Sequence, residues 1–261
     1  MTSVEDVPQP SSAIAVATGC SGSPLTLLCD FDGPLVDVSE RYYQTYQLGL
    51  ADAQTLYQTQ GIALPIQVLT KEQFWQMKQN RVADAEIALR SGLRSQQIDV
   101  FLESVQQRVN QPALLQQDQL QPGVGWALAL LHACGVKLAV VTLRCQTQAR
   151  QILEQYGLAQ LFTSIRGTQD ELAAYQNYTE LKKQLVREVL TENTLLQSRT
   201  WLVGDTEADV LAGQAAGIST IAVTCGIRSA AYLQALQPTR MHHDLLSVAH
   251  YLVGLAQLVQ A

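Results

Sequence analysis

Basic residues are scarce in this sequence and nowhere clustered, with 17 Lys and Arg set against 23 Asp and Glu in 261 residues, for a formal net charge of -6. Without a basic run, neither nucleic acid nor an anionic membrane surface is an expected partner, and any anion must be held by a few local groups. Cysteine is also sparse. The five thiols (Cys20, Cys29, Cys134, Cys145, Cys225) form no C-x-x-C pair, and their odd number and wide spacing exclude a disulfide framework and a thiolate metal cluster. A reducing, cytoplasmic compartment fits that usage. No uninterrupted run of roughly 18 apolar residues occurs, so no membrane span is expected. Ala17-Thr18-Gly19-Cys20 has the look of a lipoprotein cleavage site, but residues 1–13 carry Glu5 and Asp6 with no Lys or Arg, and Pro8 and Pro10 interrupt the run. A secretory signal is therefore not expected, and 1–24 reads as a flexible tail.

What the chain does have is apolar material, 47% of its residues, enough for a main domain carrying a smaller insert. Leu25–Cys29, Val136–Thr142, Thr200–Val203 and Thr220–Thr224 are short apolar runs ending in glycine or polar breaks, the pattern of buried parallel strands. Helical stretches lie between the last three: Gln146–Tyr156 stopped by Gly157, Thr179–Leu190, and Ala208–Ala216 stopped by Gly217. Strand alternating with helix predicts an open α/β sheet whose ligand site lies beyond the carboxyl ends of its strands. From Ser39 to Leu120 the alternation stops. Glu40–Tyr57 suits a helix, and Ile98, Phe101, Leu102, Val105 and Val109 share one helical face, so the segment predicts an all-helical cap over the site. Pro112 and Gln121-Pro122-Gly123 mark the return. The expected organisation is a tail at 1–24, a core at 25–38 and 121–261, and a helical cap at 39–120.

Two acidic groups follow strands. In Cys29-Asp30-Phe31-Asp32-Gly33, two aspartates two apart leave a strand end and can face one pocket if the backbone turns between them, a turn that Gly33 permits. Asp30 could attack phosphorus while Asp32 moves protons to the leaving oxygen and from water. Asp-x-Asp-Gly also occurs in calcium loops and ordinary turns. In Gly204-Asp205-Thr206-Glu207-Ala208-Asp209, a carboxylate beside the first pair could hold Mg2+, or Asp205 or Thr206 could simply cap a helix with Glu207 in its first turn. Thr142 ends a third strand, where its hydroxyl could meet a phosphate oxygen or serve only as a cap. Lys182 and Lys183 offer a cation, or ordinary solvated charge.

Together these pieces resemble the haloacid dehalogenase superfamily. Asp-x-Asp-Gly-x-Leu-Val-Asp at 30–37 is similar to its first motif, Thr142 to its second, Lys182 to its third and Gly-Asp-x-x-x-Asp at 204–209 to its fourth, and the likeness runs from about Leu25 to Arg228. The resemblance implies a Rossmann-like parallel-sheet core with an inserted all-helical cap, as in phosphoglycolate phosphatase-like members. It implies a Mg2+-dependent phosphatase acting through an aspartyl-phosphate, with Asp30 as nucleophile and Asp32 as general acid and base. Thr142 and Lys182 would bind phosphate; Asp30, Asp205 and the Asp32 backbone carbonyl would ligate Mg2+; Asp209 would be a further ligand or an orienting group. Lys182 suits the spacing and the following Leu185-Val186 better than Lys183. Members that cleave carbon–halogen or phosphonate bonds typically lack the second aspartate, so its presence favours phosphate-ester chemistry.

Three positions depart from the family pattern. Pro34 stands where threonine is common and removes a backbone donor. Leu143 and Arg144 follow Thr142 where small polar residues are frequent, and Arg144 is expected as a helix-start surface residue that could also reach a second anionic group. The other readings are a phosphomutase of the same superfamily and a catalytically inactive binding protein that kept the fold. Tyr42, Tyr43, Tyr46, Phe74, Trp75 and Met77 are candidates for the substrate-facing cap surface, most of them expected to pack in the cap core. His242, His243 and His250 have no acidic or cysteine partners that would make a metal site. The expected ligand is a small phosphorylated metabolite.

Overall fold

The structure, a computed structural model, describes residues 24–258, so the expected tail at 1–24 lies outside the described residues except for Pro24. Six parallel strands form the core sheet: β1 (Thr26–Cys29), β4 (Lys137–Cys145), β5 (Ser164–Thr168), β6 (Thr200–Gly204), β7 (Ser219–Val223) and β8 (Arg240–His242). Their order is β5-β4-β1-β6-β7-β8, which sets β1 between β4 and β6 at the centre. The four expected strands form the middle of this sheet. The two that sequence reading passed over, β5 and β8, are its edges.

A strand covered on both faces must be apolar on both, and all four residues of β1 are buried. Leu27 and Cys29 join the core beneath the helices Val124–Ala133 and Leu245–Leu258, while Leu28 joins the core beneath Thr179–Glu192 and Glu207–Ala215. Truncating such a side chain to alanine costs about 2–5 kcal/mol. The helices Gln146–Gln155 and Glu207–Ala215 end near Gly157 and Gly217, the glycines expected to stop them, whose φ values of 66° and 67° are the left-handed conformation that closes a helix.

Between β2 (Val36–Asp37) and β3 (Gln119–Leu120) every element is a helix: Ser39–Thr59, Lys71–Gln79, Asp84–Arg90, Gln96–Arg108 and Pro112–Leu115. β2 and β3 pair antiparallel and pin the outgoing and returning chains side by side at the base of this helical cap. Within it, Gly49 lets Ser39–Thr59 approach Gln96–Arg108, since a β-carbon there would lie 2.9 Å from Val105 and 3.0 Å from Phe101. Tyr46 stacks on Phe74 at 4.9 Å and meets Phe101 edge-on, so these aromatics build the cap core as expected. Thr70 and Gln73 form a reciprocal cap at the start of Lys71–Gln79. No helix among the described residues is long and apolar enough to cross a membrane.

Candidate active site

The central strand delivers Asp30 to the floor of the cleft. The ladder runs up to it, with Asp30 N–H donating to the Val203 carbonyl at 2.9 Å, and its carboxylate accepts from Lys182 Nζ at 2.7 Å. Lys182 reaches it because it occupies the apolar stripe of its helix, in line with Leu185, Val186, Val189 and Leu190, all buried. Its side chain is 1% exposed, and its ammonium also lies 2.6 Å from Asp209 Oδ1. Lys183 pairs with Glu180 instead.

Asp205 follows β6 and is wedged between two glycines: a β-carbon at Gly33 (φ 97°) or at Gly226 would strike its carboxylate. Ile227 N–H donates to Asp205 Oδ2 at 2.6 Å, while Oδ1 is buried with no hydrogen-bond partner. The helix after it is capped by Thr206, whose hydroxyl donates to Asp209 Oδ2 at 2.7 Å and whose N–H donates to the same oxygen at 3.1 Å. Capping and site-building are therefore not alternatives here, since Asp209 does both.

Asp30, Asp205 and Asp209 bring one carboxylate oxygen each within 4.8 Å of one another. Burial, then the Asp209 charge, push the Asp30 carboxyl up to about 7 against the pull of Lys182. Burial and the charges of Asp30 and Asp209 push Asp205 well above the usual carboxylate range. Three buried acids facing one ammonium leave negative charge unbalanced, and Asp205 Oδ1 is left without a donor. Oxygen donors with surplus negative charge are what a hard divalent cation takes, so these residues fit a metal ion.

Asp32 turns the other way. Its two oxygens accept from Arg144 NH1 at 2.7 Å and Arg41 NH2 at 3.2 Å. The same guanidinium groups grip Asp118, Arg41 through Nε at 2.9 Å and Arg144 through NH2 at 2.5 Å. Burial works against the Asp32 charge, but Arg144 and then Arg41 outweigh it and hold this carboxyl below its ordinary value. Burial carries Asp118 the other way despite the two arginines, so Asp32 keeps its charge more firmly. With the side chain so engaged, any metal contact from Asp32 falls to its backbone carbonyl.

Arg144 corrects one expectation. It is 2% exposed rather than a surface residue, because β4 runs on past Thr142 to Cys145, and residues two apart on a strand share a face. Thr142 itself is 1% exposed, with its hydroxyl accepting from Arg144 N–H at 3.1 Å. Pro34 lies buried in the turn after Gly33, where Gly33 N–H and Leu35 N–H both find carbonyl partners.

Asp30, Asp32, Thr142, Lys182 and Asp205 all line one small cavity, together with Tyr42, Leu143, Asn177, Thr206 and Ile227. All five residues singled out in the sequence are thus brought together. Sequence reading did not find Arg41, Asp118 or Asn177. Arg41 and Asp118 are 77 residues apart, and nothing local in either segment points to the other.

A comparison with known proteins agrees with this geometry. The haloacid dehalogenase-like hydrolase family matches residues 27–223. A protein described as probable phosphatase IndB, from Dickeya dadantii, is 28% identical over 237 residues, 89% of this chain and 96% of that protein. A phosphoglycolate phosphatase from Aliivibrio fischeri is 32% identical over 123 residues, 47% of this chain and 52% of that protein. Among solved structures, a haloacid dehalogenase-like hydrolase from Streptococcus pneumoniae superposes with a TM-score of 0.58 at 20% identity, covering 88% of this chain and all but 2% of its own, or 98%. A match over most of the chain establishes that the chain belongs to the haloacid dehalogenase-like hydrolases, on the phosphatase side of that family, and its cavity gathers acids that follow two strands, a threonine from a third and a lysine from a helix.

Proposed function

We propose that this protein hydrolyses a small phosphomonoester in two steps, with Asp30 as nucleophile and Mg2+ as cofactor. The observation that carries this reading is that Asp30, at the carboxyl end of the central strand, shares one small cavity with Thr142, Lys182 and Asp205. In the first step an Asp30 oxygen attacks phosphorus and the bond to the leaving oxygen breaks, giving an aspartyl-phosphate. Lys182 offsets the charge of the incoming phosphate, and the Thr142 hydroxyl donates to one of its oxygens. In the second step water attacks the same phosphorus, Asp32 takes its proton, and the Asp30 carboxylate is released with inorganic phosphate.

The arginine-bound Asp32 is in the protonation state that accepts a proton from water. To supply a proton to the leaving oxygen it must first acquire one and loosen its hold on Arg41 or Arg144. Mg2+, held by Asp30, Asp205 and the Asp32 backbone carbonyl, would screen Asp30 from the phosphate dianion and polarise the phosphoryl oxygens. Asp209 acts by orienting Lys182 and Thr206. The reading places the enzyme in the cytoplasm, where Cys29, Cys134, Cys145 and Cys225, all free thiols, would stay reduced.

The test is release of phosphate from a panel of small phosphomonoesters, phosphoglycolate and sugar phosphates included, by purified protein with Mg2+ or with EDTA. Release that requires Mg2+ is expected. A folded sample that releases none from any ester, in either condition, refutes the reading.

A further inference from the structure

Beside the cavity that holds Asp30 lies a second one of about 50 Å3, and the two share Tyr42, Ala174, Asn177 and Ile227 as a common wall. Where the first is lined by acids, the second is lined by cations: Lys78 and Arg81 from the cap and Arg228 from the core. Their counter-ions are fewer. Lys78 Nζ pairs with Asp84 at 2.8 Å, while Arg81 and Arg228 share the single carboxylate of Glu207 at 2.7 and 2.8 Å. One positive charge is left over among these five groups.

Several details fit this space to a ligand rather than to a mere contact between cap and core. Lys78 Nζ sits over the faces of Tyr175 at 5.0 Å and Tyr42 at 5.7 Å, which hold the ammonium in place, while only one of its three donors meets a carboxylate. Arg81 stands at φ 60°, just past the end of Lys71–Gln79, where glycine or asparagine is the usual occupant and an arginine stores backbone strain.

We propose that the second cavity is a subsite for a second anionic group, a carboxylate or a phosphate, carried on the portion of the substrate that departs with the leaving oxygen. The proposal rests on the phosphohydrolase reading for its orientation, since the scissile phosphate lies at Asp30 and the second anion at Lys78 and Arg81. The small volume restricts the substrate to a compact one. The overall charge of -6 works against binding a further anion, so any preference for one must come from these local cations.

Binding to the full-length protein in Mg2+ is measured by calorimetry for three unreactive phosphonates: phosphonopropionate, propane diphosphonate and propylphosphonate. The first two carry a distal carboxylate or phosphonate, and the third ends in a methyl group. At least one of the first two is expected to bind about tenfold more tightly than propylphosphonate, and the better of them names the anion. Arg81→Gly removes one of the three cations while suiting the left-handed turn, so the variant folds, and Lys78→Met removes a second. In at least one of the two variants the ratio of affinities should fall to within about threefold of unity. A ratio near unity in the wild-type protein, or an undiminished ratio in both variants, overturns the subsite and leaves these cations as a latch between cap and core. Failure of the phosphohydrolase reading looks different: the binding ratio persists while no ester releases phosphate.

Discussion

Around Asp30, three carboxylates stand together and one ammonium pairs with two of them, Asp30 and Asp209, whereas around Asp32, two carboxylates share two guanidinium groups. Both clusters are buried in the same cleft, and the two aspartates are separated by a single residue. The first is short of positive charge, with Asp205 Oδ1 lacking any donor. The second is balanced, and each acid receives two charge-assisted hydrogen bonds. An unbalanced buried cluster is costly unless a further cation completes it, whereas a balanced one fixes a side chain in place. On the proposed reading, the division would separate a place for a metal ion and phosphate from a clamp that orients the proton-transfer group.

The largest effect on stability should come from unbalancing the clamp. Asp118→Leu leaves two buried guanidinium groups on one carboxylate, and removal of one partner of a buried pair costs about 3–5 kcal/mol. Urea unfolding should show it, and a loss below about 1 kcal/mol would mean that the arginines re-pair without Asp118.

On the other side of the comparison, Asp205→Asn keeps the shape of the wedged side chain and removes one negative charge from the unbalanced cluster. The Mg2+ concentration giving half-maximal activity should rise by about tenfold or more, while stability without metal stays equal or improves. An unchanged Mg2+ titration would reduce Asp205 to a structural residue.

Asp30 and Asp205 should also answer pH in the opposite sense to Asp32. Asp30 and Asp205 have raised folded-state values, so the folded protein holds protons that the unfolded chain has lost; without metal Asp30 favours folding less as pH rises from about 4 through about 7, and Asp205 acts in the same sense. Asp32 has a depressed value, so its contribution is present above the unfolded value near about 4 and is lost as pH falls through the folded one. On the proposed ligand set, Mg2+ would compete with protons for Asp30 and Asp205 and not for Asp32. It should therefore raise Tm more at about pH 7.5 than at about pH 5, and an equal rise at both would contradict the assignment of ligands to these acids.

The smallest effect concerns the link between helix and site. Thr206→Val removes the hydroxyl that caps Glu207–Ala215 and steadies Asp209, at a cost of about 1 kcal/mol, or about 2–4 °C in Tm for a chain of this size. A drop several times larger would mean that Asp209 loses its hold on Lys182 as well.

How far the sequence disclosed this molecule depends on whether the relevant forces are local. The central strands were legible because burial on both faces demands unbroken apolar runs. β5 carries Arg166 and Gly167, β8 carries Arg240 and His242, and edge strands with such residues leave no comparable trace. Lys182 was singled out only by its resemblance to the family's third motif and by the Leu185-Val186 that follows; by itself a lysine in a helix reads as solvated charge, and its burial appears only in the fold. Arg144 was partly legible, because it stands two residues after Thr142 and so shares its strand face; ending the strand at Thr142 hid that relation. The Arg41–Asp118 pair was not legible at all, since only the pairing of β2 with β3 brings the two ends of the cap together.

The central claim is that Asp30 takes the phosphoryl group. The most direct measurement is rapid acid quench during turnover of the best ester, followed by peptide mass spectrometry. A phosphate should be found on Asp30 and vanish in Asp30→Asn, together with turnover. Phosphate release that continues in Asp30→Asn, or a phosphoryl group trapped on another residue, would contradict the account.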